Sequence, residues 1–256
     1  MRIVAIIPAR LSSSRFPNKV LFPFFNLPMV EHVRRRTILS GIADDVYVAT
    51  CDKKIEAVVQ GYGGKVIMTS DEHENGTSRI AEASKQIDCT HVILVQGDEP
   101  LLLPHHLQLI KSAIFHSPET EAWNITGPID HAEELDRHSF VKCAVTTNGN
   151  VIYCFRKTPA FADFTIQQRY IRKMLGLISF QKDFLLKFTE LSRGIIEMSE
   201  SIEQMRIIEH GYSLCSIPVE ESLPSVNEPD EADIVNDYLI NINEQKELLK
   251  RVLSFV

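Results

Sequence analysis

The sequence predicts an α/β fold: a mostly parallel sheet with helices on both faces and an inserted antiparallel segment. Three observations point there. Up to Phe115, short apolar runs alternate with segments of helical spacing. Beyond Trp123 the strand-like runs follow one another closely, and Asn148-Gly149 stands between two of them as a hairpin signal. With 256 residues, 44% of them hydrophobic, the chain can bury the core of one large α/β domain.

Arg2–Pro8 reads as a buried strand, because its apolar run is unbroken from Ile3 onward. Met29–Ser40 has helical spacing and stops at Gly41. A short strand, Asp45–Ala49, precedes a helix over Asp52–Gln60. Gly63 and Gly64 then break the chain before the strand Lys65–Met68. Thr77–Lys85 is helical, His91–Val95 is a strand, and Pro104 opens another helix. The inserted part has strands at Trp123–Ile129, Phe140–Thr146, Val151–Phe155 and Leu175–Phe180, then a helix over Lys182–Thr189. Glu197–His210 reads as one helix stopped by Gly211, and Ser213–Pro218 as a strand. The tail Asp230–Val256 is helical, in one piece or two. Residues 1–256 are expected to form a single domain. Its first part is 1–120, its inserted part 121–215, and 216–256 is a C-terminal return.

The formal net charge is -7, which argues against a general nucleic-acid surface but leaves room for a local basic pocket. Five cysteines with no CxxC spacing argue against a disulfide framework or a zinc site and read as buried thiols. The apolar run at the N-terminus is too short for a membrane helix and lacks a cleavage pattern, so a cytoplasmic protein without a membrane segment is expected. His105-His106 at a helix start reads as surface, since adjacent residues point apart. Arg34-Arg35-Arg36 reads as a solvated or partner-facing run, and Trp123 as core.

Two stretches carry chemistry. After the first strand the chain reads IPARLSSSRFPNKVL, and ligands of open α/β sheets bind beyond the carboxyl ends of the strands. Arg10, Arg15 and Lys19 suit a polyphosphate: guanidinium forks bind phosphate oxygens directionally and the ammonium acts as a point charge. Ser12, Ser13 and Ser14 add hydroxyls and small side chains. Taken alone, the loop reads equally well as a solvated basic turn. VQGDEP follows a later strand. Gly97 permits a sharp turn, and Asp98 then stands on the same edge as the loop, placed to hold Mg²⁺ against phosphate oxygens or, alternatively, to cap the next helix.

Together these residues resemble the CMP-KDO synthetases, cytidylyltransferases that activate 3-deoxy-manno-octulosonate (KDO), and more distantly the CMP-sialic acid synthetases. The motifs are IPARLSSSRFPNKVL, VATCD at Val48–Asp52, HENGTSR at His73–Arg79, VQGDEP, and SIEQMRIIEHGY at Ser201–Tyr212. The resemblance implies a Rossmann-like sheet whose inserted antiparallel segment serves dimerisation. It implies CTP and an acidic acceptor as substrates, Mg²⁺ as cofactor, and a homodimer. Arg10, Ser13, Arg15 and Lys19 would surround the phosphates. Ala49, Thr50, Gly76, Thr77 and Arg79 would form the cytidine pocket, with backbone carbonyls near Ala49 and Thr50 reading the cytosine amino edge. Gln96 and Asp98 would face nucleotide and metal. Arg156, Glu203, Gln204 and Arg206 would lie near the sugar.

Three departures from the family pattern stand out. Asn18 replaces a glycine before the lysine, and asparagine tolerates left-handed backbone angles. Met174-Leu175-Gly176-Leu177-Ile178 stands where the family has His-x-Gly-x-Tyr. Asn227 replaces a metal-binding aspartate, with Glu228 and Asp230 as neighbours able to compensate. The changes cluster in the acceptor half, so the acceptor is expected to be KDO, an amino- or deoxy-derivative, another 2-keto-3-deoxy sugar acid, or a non-sugar phosphonate. The cluster Gln167, Gln168, Arg169, Arg172 and Lys173 reads as either an acceptor-binding surface or a solvated face. A catalytically weak nucleotide-binding regulator is the competing class, favoured by Asn227, and UTP or dTTP the competing nucleotide.

Overall fold

A computed structural model describes residues 1–13 and 15–255; Ser14 and Val256 lie outside the described residues. The chain forms two compact units, Met1–Gln108 with Leu223–Val256, and Leu109–Ser222.

The first unit begins with β1 (Ile3–Pro8), the short β2 (Pro23–Phe24) and β3 (Leu27–Pro28), and α1 (Met29–Leu39). It continues through β4 (Asp45–Thr50), α2 (Lys53–Gly61), β5 (Lys65–Met68), α3 (Gly76–Ser84) and β6 (His91–Val95). The strands β6-β1-β4-β5 are parallel neighbours, with Val4 opposite Asp45 and Ile3 opposite His91. Residues Ile3–Ile7 of β1 and Val92–Val95 of β6 are fully buried, as continuous apolar strands in a covered parallel sheet should be. Parallel pairing brings the carboxyl ends of β1, β4 and β6 to one edge, where the cationic loop and VQGDEP emerge.

Next come α4 (Pro104–His116), β7 (Ala122–Gly127), β8 (Lys142–Val145), β9 (Val151–Phe155) and α5 (Phe164–Gln167). After these follow β10 (Ile171–Gln181), α6 (Lys182–Phe188), α7 (Ile195–Glu200), α8 (Met205–Glu209) and β11 (Leu214–Pro218). The second unit is mainly antiparallel: β7 with β10, β10 with β8, and β8 with β9; β11 joins β7 in parallel. Gly149, at φ 87°, makes the expected β8–β9 turn. Trp123 is core, with none of its surface exposed.

The expected Glu197–His210 helix is two short helices. Ser201 takes a left-handed conformation (φ 54°, ψ 47°) that ends α7, and α8 starts afresh at Met205. The expected strand Leu175–Phe180 starts four residues earlier, within β10. This extension corrects the reading of the Gln167–Lys173 cluster as one cationic face. Lys173 is buried and paired with Glu134 at 2.8 Å, Arg172 donates to the Val219 and Thr126 carbonyls, and Gln167 is buried with its amide on Ala162 O; Gln168 and Arg169 stay exposed.

The chain returns through α9 (Glu231–Asn241) and α10 (Asn243–Leu253), split at Ile242. Gln245, Leu248, Leu249 and Val252 repeat at i, i+3, i+4 and i+7 and bury one stripe of α10. Leu249 packs with Phe24, Met29 and Leu101, and Leu248 with Leu27 and Leu103. This helix overturns the solvated reading of Arg34-Arg35-Arg36, all three of which are buried. Arg34 makes a bidentate pair with Glu31 at 2.8 Å, Arg35 donates to Val252 O, and Arg36 donates to Gln245 Oε1 at 2.7 Å. Burial lowers the Arg36 pKa to about 9. His106 is likewise buried, not a surface histidine.

Candidate active site

The loop after β1 is held by backbone hydrogen bonds and by one carboxylate. Ala9 N–H donates to Ala49 O (2.9 Å), Leu11 N–H to Asp52 Oδ2 (2.8 Å), and Asn18 N–H back to Leu11 O (3.0 Å). Asn18 adopts φ 60°, ψ 17°, so it takes the left-handed conformation that a glycine would supply. The turn then places Lys19 Nζ 2.6 Å from Asp98 Oδ2 and 3.0 Å from Val226 O. Asp98 reaches that point because Gly97 lets the β6 end pass close to β1: a Cβ there would sit 3.1 Å from Pro8 O. Val226 N–H donates to Asp98 O (2.9 Å), which brings Asn227 beside the same carboxylate strand. Arg15 Nη2 lies 3.5 Å from Asn227 Oδ1, and its Nη1 3.9 Å from Glu228.

Arg10, Arg15, Lys19, Gly97 and Asp98 line a cleft of about 280 Å³ together with Ser12, Ser13, His73, Asn75, Gly76, Arg79 and Gln96. Arg10, Arg15, Lys19 and Arg79 face a single lining carboxylate, Asp98, so the cleft is cationic on a chain of net charge -7. Its far wall is the start of α3. Asn75 caps that helix, its Oδ1 accepting Ser78 N–H at 2.8 Å. Gly76 sits so near Pro8 that a Cβ would meet the proline ring at 3.0 Å. Arg79 is buried and donates to Thr69 Oγ1 (2.6 Å) and Ser70 O (3.0 Å).

His73 completes this wall. Its Nδ1 lies 3.1 Å from Ser78 Oγ, its Nε2 is hydrogen-bonded to the Glu82 carboxylate, and its carbonyl accepts from Arg10 at 3.5 Å. Burial pushes the Glu82 carboxyl up, but the His73 hydrogen bond and the Ser70 N–H outweigh it and hold the pKa below the usual range. The sequence reading gave no role to His73 or Asn75. The HENGTSR motif contained His73 and Asn75, but nothing local showed that they face the first loop.

Other expected residues lie elsewhere. Ala49 and Thr50 are fully buried in β4 and do not line the cleft. Each of their carbonyls accepts one backbone N–H, Ala49 O from Ala9 and Thr50 O from Thr69. Thr77 is buried behind Gly76. In the second unit Arg156 spends its guanidinium on three backbone carbonyls, those of His138, Glu200 and Ser201, at 3.0–3.1 Å. Arg206 is buried in a bidentate ion pair with Glu197. Glu203 and Gln204 are half-buried in the turn between α7 and α8. Of the apolar replacements on β10, Leu177 and Ile178 are buried, while Met174 and Leu175 are half-buried.

The chain is similar to known proteins along most of its length. Residues 4–220 match the family model described as cytidylyltransferase. A 3-deoxy-manno-octulosonate cytidylyltransferase of Synechococcus elongatus is 34% identical over 237 residues, 92% of this chain and 97% of the relative. The enzyme of that name from Geobacter metallireducens is 32% identical, over 93% of this chain and 98% of its own. Among solved structures, a CMP:2-keto-3-deoxy-manno-octonic acid synthetase complexed with CTP superposes with TM-score 0.88 at 30% identity, covering 93% of this chain and 98% of the other. The 4-diphosphocytidyl-2C-methyl-D-erythritol synthase of Anaerococcus prevotii, at 13% identity and TM-score 0.64, shares the fold. The chain therefore belongs to the cytidylyltransferase family, alongside the 3-deoxy-manno-octulosonate cytidylyltransferases, and is a nucleotidyltransferase.

Proposed function

We propose that the cleft binds CTP and that the enzyme joins its CMP part to KDO or a related 2-keto-3-deoxy sugar acid, releasing pyrophosphate. One observation carries this reading: Arg10, Arg15, Lys19 and Arg79 converge with a lone carboxylate, Asp98, at the carboxyl edge of a parallel sheet. Arg10, Ser13, Arg15 and Lys19 take the triphosphate. Gly76, Arg79, His73 and Gln96 face the nucleoside.

A divalent metal, magnesium by preference, fits the donor set. The Asp98 carboxylate and the Asn227 side-chain oxygen are hard oxygen donors that would hold the metal, and a backbone hydrogen bond from Val226 N–H to Asp98 O links their two segments. When bound, it supplies Lewis-acid neutralisation of phosphate charge. The side chains do the rest by position and charge. The anomeric hydroxyl oxygen of the acceptor forms a bond to the α-phosphorus and gives up its proton to solvent, the α–β phosphoanhydride bond breaks, and pyrophosphate leaves. Lys19 and the arginines stabilise the negative charge on the leaving oxygens.

Ile152, Phe161, Ile195 and Met198 of the second unit are exposed apolar side chains. They support a homodimer, to be checked by light scattering. CTP as substrate supports a cytoplasmic reaction. Among the described residues no helix is long and apolar enough to cross a membrane.

The test is pyrophosphate release with CTP, UTP or dTTP, magnesium, and a panel of acidic acceptors, with products weighed by mass spectrometry. The expected outcome is a CMP-sugar acid formed with CTP in preference to UTP and dTTP. Turnover with a phosphonate and with no 2-keto-3-deoxy sugar acid would overturn the assignment of the acceptor.

A further inference from the structure

The cations and the oxygen ligands of the cleft are already engaged with one another. Lys19 Nζ sits 2.6 Å from Asp98 Oδ2 and 3.0 Å from Val226 O. Arg15 spans Asn227 Oδ1 at 3.5 Å and Glu228 at 3.9 Å. The segment they hold is itself fixed, since the Asn227 and Glu228 N–H groups both donate to the Glu231 carboxylate, at 2.5 and 3.0 Å. Side-chain exposure is 15% for Lys19 and 24% for Asp98, so this contact is partly shielded from water, whereas Arg15 and Glu228 are more than half exposed. The strong member of the set is therefore the Lys19–Asp98 pair.

We propose that Lys19 is an internal counter-ion that latches the first loop to Asp98, so that the carboxylate becomes available to a divalent ion only when a nucleoside triphosphate draws the ammonium away. The inference rests on the reading of Asp98 as a metal ligand. The physical reason is competition for one carboxylate. A divalent ion at Asp98 would stand next to an ammonium group that already neutralises its ligand. A triphosphate offers Lys19 several anionic oxygens at once and leaves Asp98 free. Metal and nucleotide binding are then coupled, and by linkage each strengthens the other by the same factor. Arg10 is the natural comparison: it lines the same cleft, but its nearest partner is the His73 carbonyl, not Asp98.

The experiment titrates Mn²⁺ against the full chain, following free ion by electron paramagnetic resonance. Wild type, Lys19→Met and Arg10→Met are compared, each shown folded by circular dichroism. With no nucleotide, Lys19→Met should bind Mn²⁺ about tenfold more tightly than wild type, the size expected when one charge-assisted contact no longer competes. Arg10→Met should change it by less than about twofold, because Arg10 is exposed, bonds the His73 carbonyl and makes no ion pair with Asp98, and a solvent-screened charge contributes little. Equal affinities in wild type and Lys19→Met would overturn the latch. Equal gains in the two variants would also overturn it, since they would show a general field and no specific contact. A separate titration of wild type with CTP reports on the site itself: if CTP fails to bind with and without Mn²⁺, the site reading fails, whatever the metal titrations give.

Discussion

At the residue scale, Asp98 has no substitute among the groups lining the cleft. It is the only carboxylate there among the described residues. Asp98→Asn keeps the size and removes the charge. Its turnover should fall roughly a hundredfold or more, the loss typical of one electrostatic contact made at the reacting phosphate. Steady-state pyrophosphate release with saturating CTP measures it, and a variant within about threefold of wild type would exclude Asp98 from the chemistry.

Asn18 makes a second residue-scale case. At φ 60° a β-branched side chain is strained, so Asn18→Val should destabilise by about 1–2 kcal/mol, whereas Asn18→Gly should be nearly neutral. Urea midpoints of the two variants decide it. This residue was legible because the family pattern has glycine at its place and asparagine tolerates the left-handed angles a glycine takes. Lys19 and Asp98 were legible because each lies in a segment that leaves the carboxyl end of a strand, β1 for Lys19 and β6 for Asp98. Arg156 and Arg206 were not. The partners of Arg156 in Glu200 and Ser201 lie 44 and 45 residues away, and no local pattern says that backbone carbonyls consume its guanidinium.

At the element scale, the sequence reading found the alternation of strands and helices in the first unit but merged α7 and α8. The apolar spacing continues through both, and only the left-handed Ser201 breaks it. The ion pair of Glu197 on α7 with Arg206 on α8, both buried, helps join the two helices, and the Glu209 carboxylate of α8 accepts the Ile196 and Glu197 N–H groups of α7 at 2.9 Å. The hydrogen bond and charge of Glu197 raise the pKa of Arg206. Removing one partner of such a pair leaves a charge uncompensated. Glu197→Ala should therefore cost about 3 kcal/mol or more in chemical denaturation, and the double variant Glu197→Leu/Arg206→Leu much less. If the single variant were as stable as wild type, the pair would not help join these helices.

At the scale of the whole molecule, acid should weaken the fold before most carboxylates titrate. His32 is fully buried and its Nε2 bonds the Phe24 carbonyl; burial first, then that bond opposing it, then the charges of Arg36 and Arg35 leave its pKa at about 4. His106 is lowered to about 4 by burial and by His105. Both values lie below the unfolded value of 6.5. Between these limits the unfolded chain binds protons that the native chain refuses. The contribution is complete above about pH 6.5 and is lost as the pH falls toward 4, by up to roughly 3 kcal/mol for His32. Urea midpoints taken from pH 7 to pH 4 should fall, and His32→Gln should flatten that fall. An unchanged slope in the variant would remove His32 from the account.

The first unit is assembled from the two ends of the chain, Met1–Gln108 and Leu223–Val256. On a ribosome those ends are made far apart in time. The first unit must wait, with Arg35 and Arg36 uncovered, until α10 emerges to meet them, while the interposed unit is already complete in sequence. Nascent chains stalled before Asn243 should accordingly protect the middle of the protein from protease and leave its beginning open to cleavage.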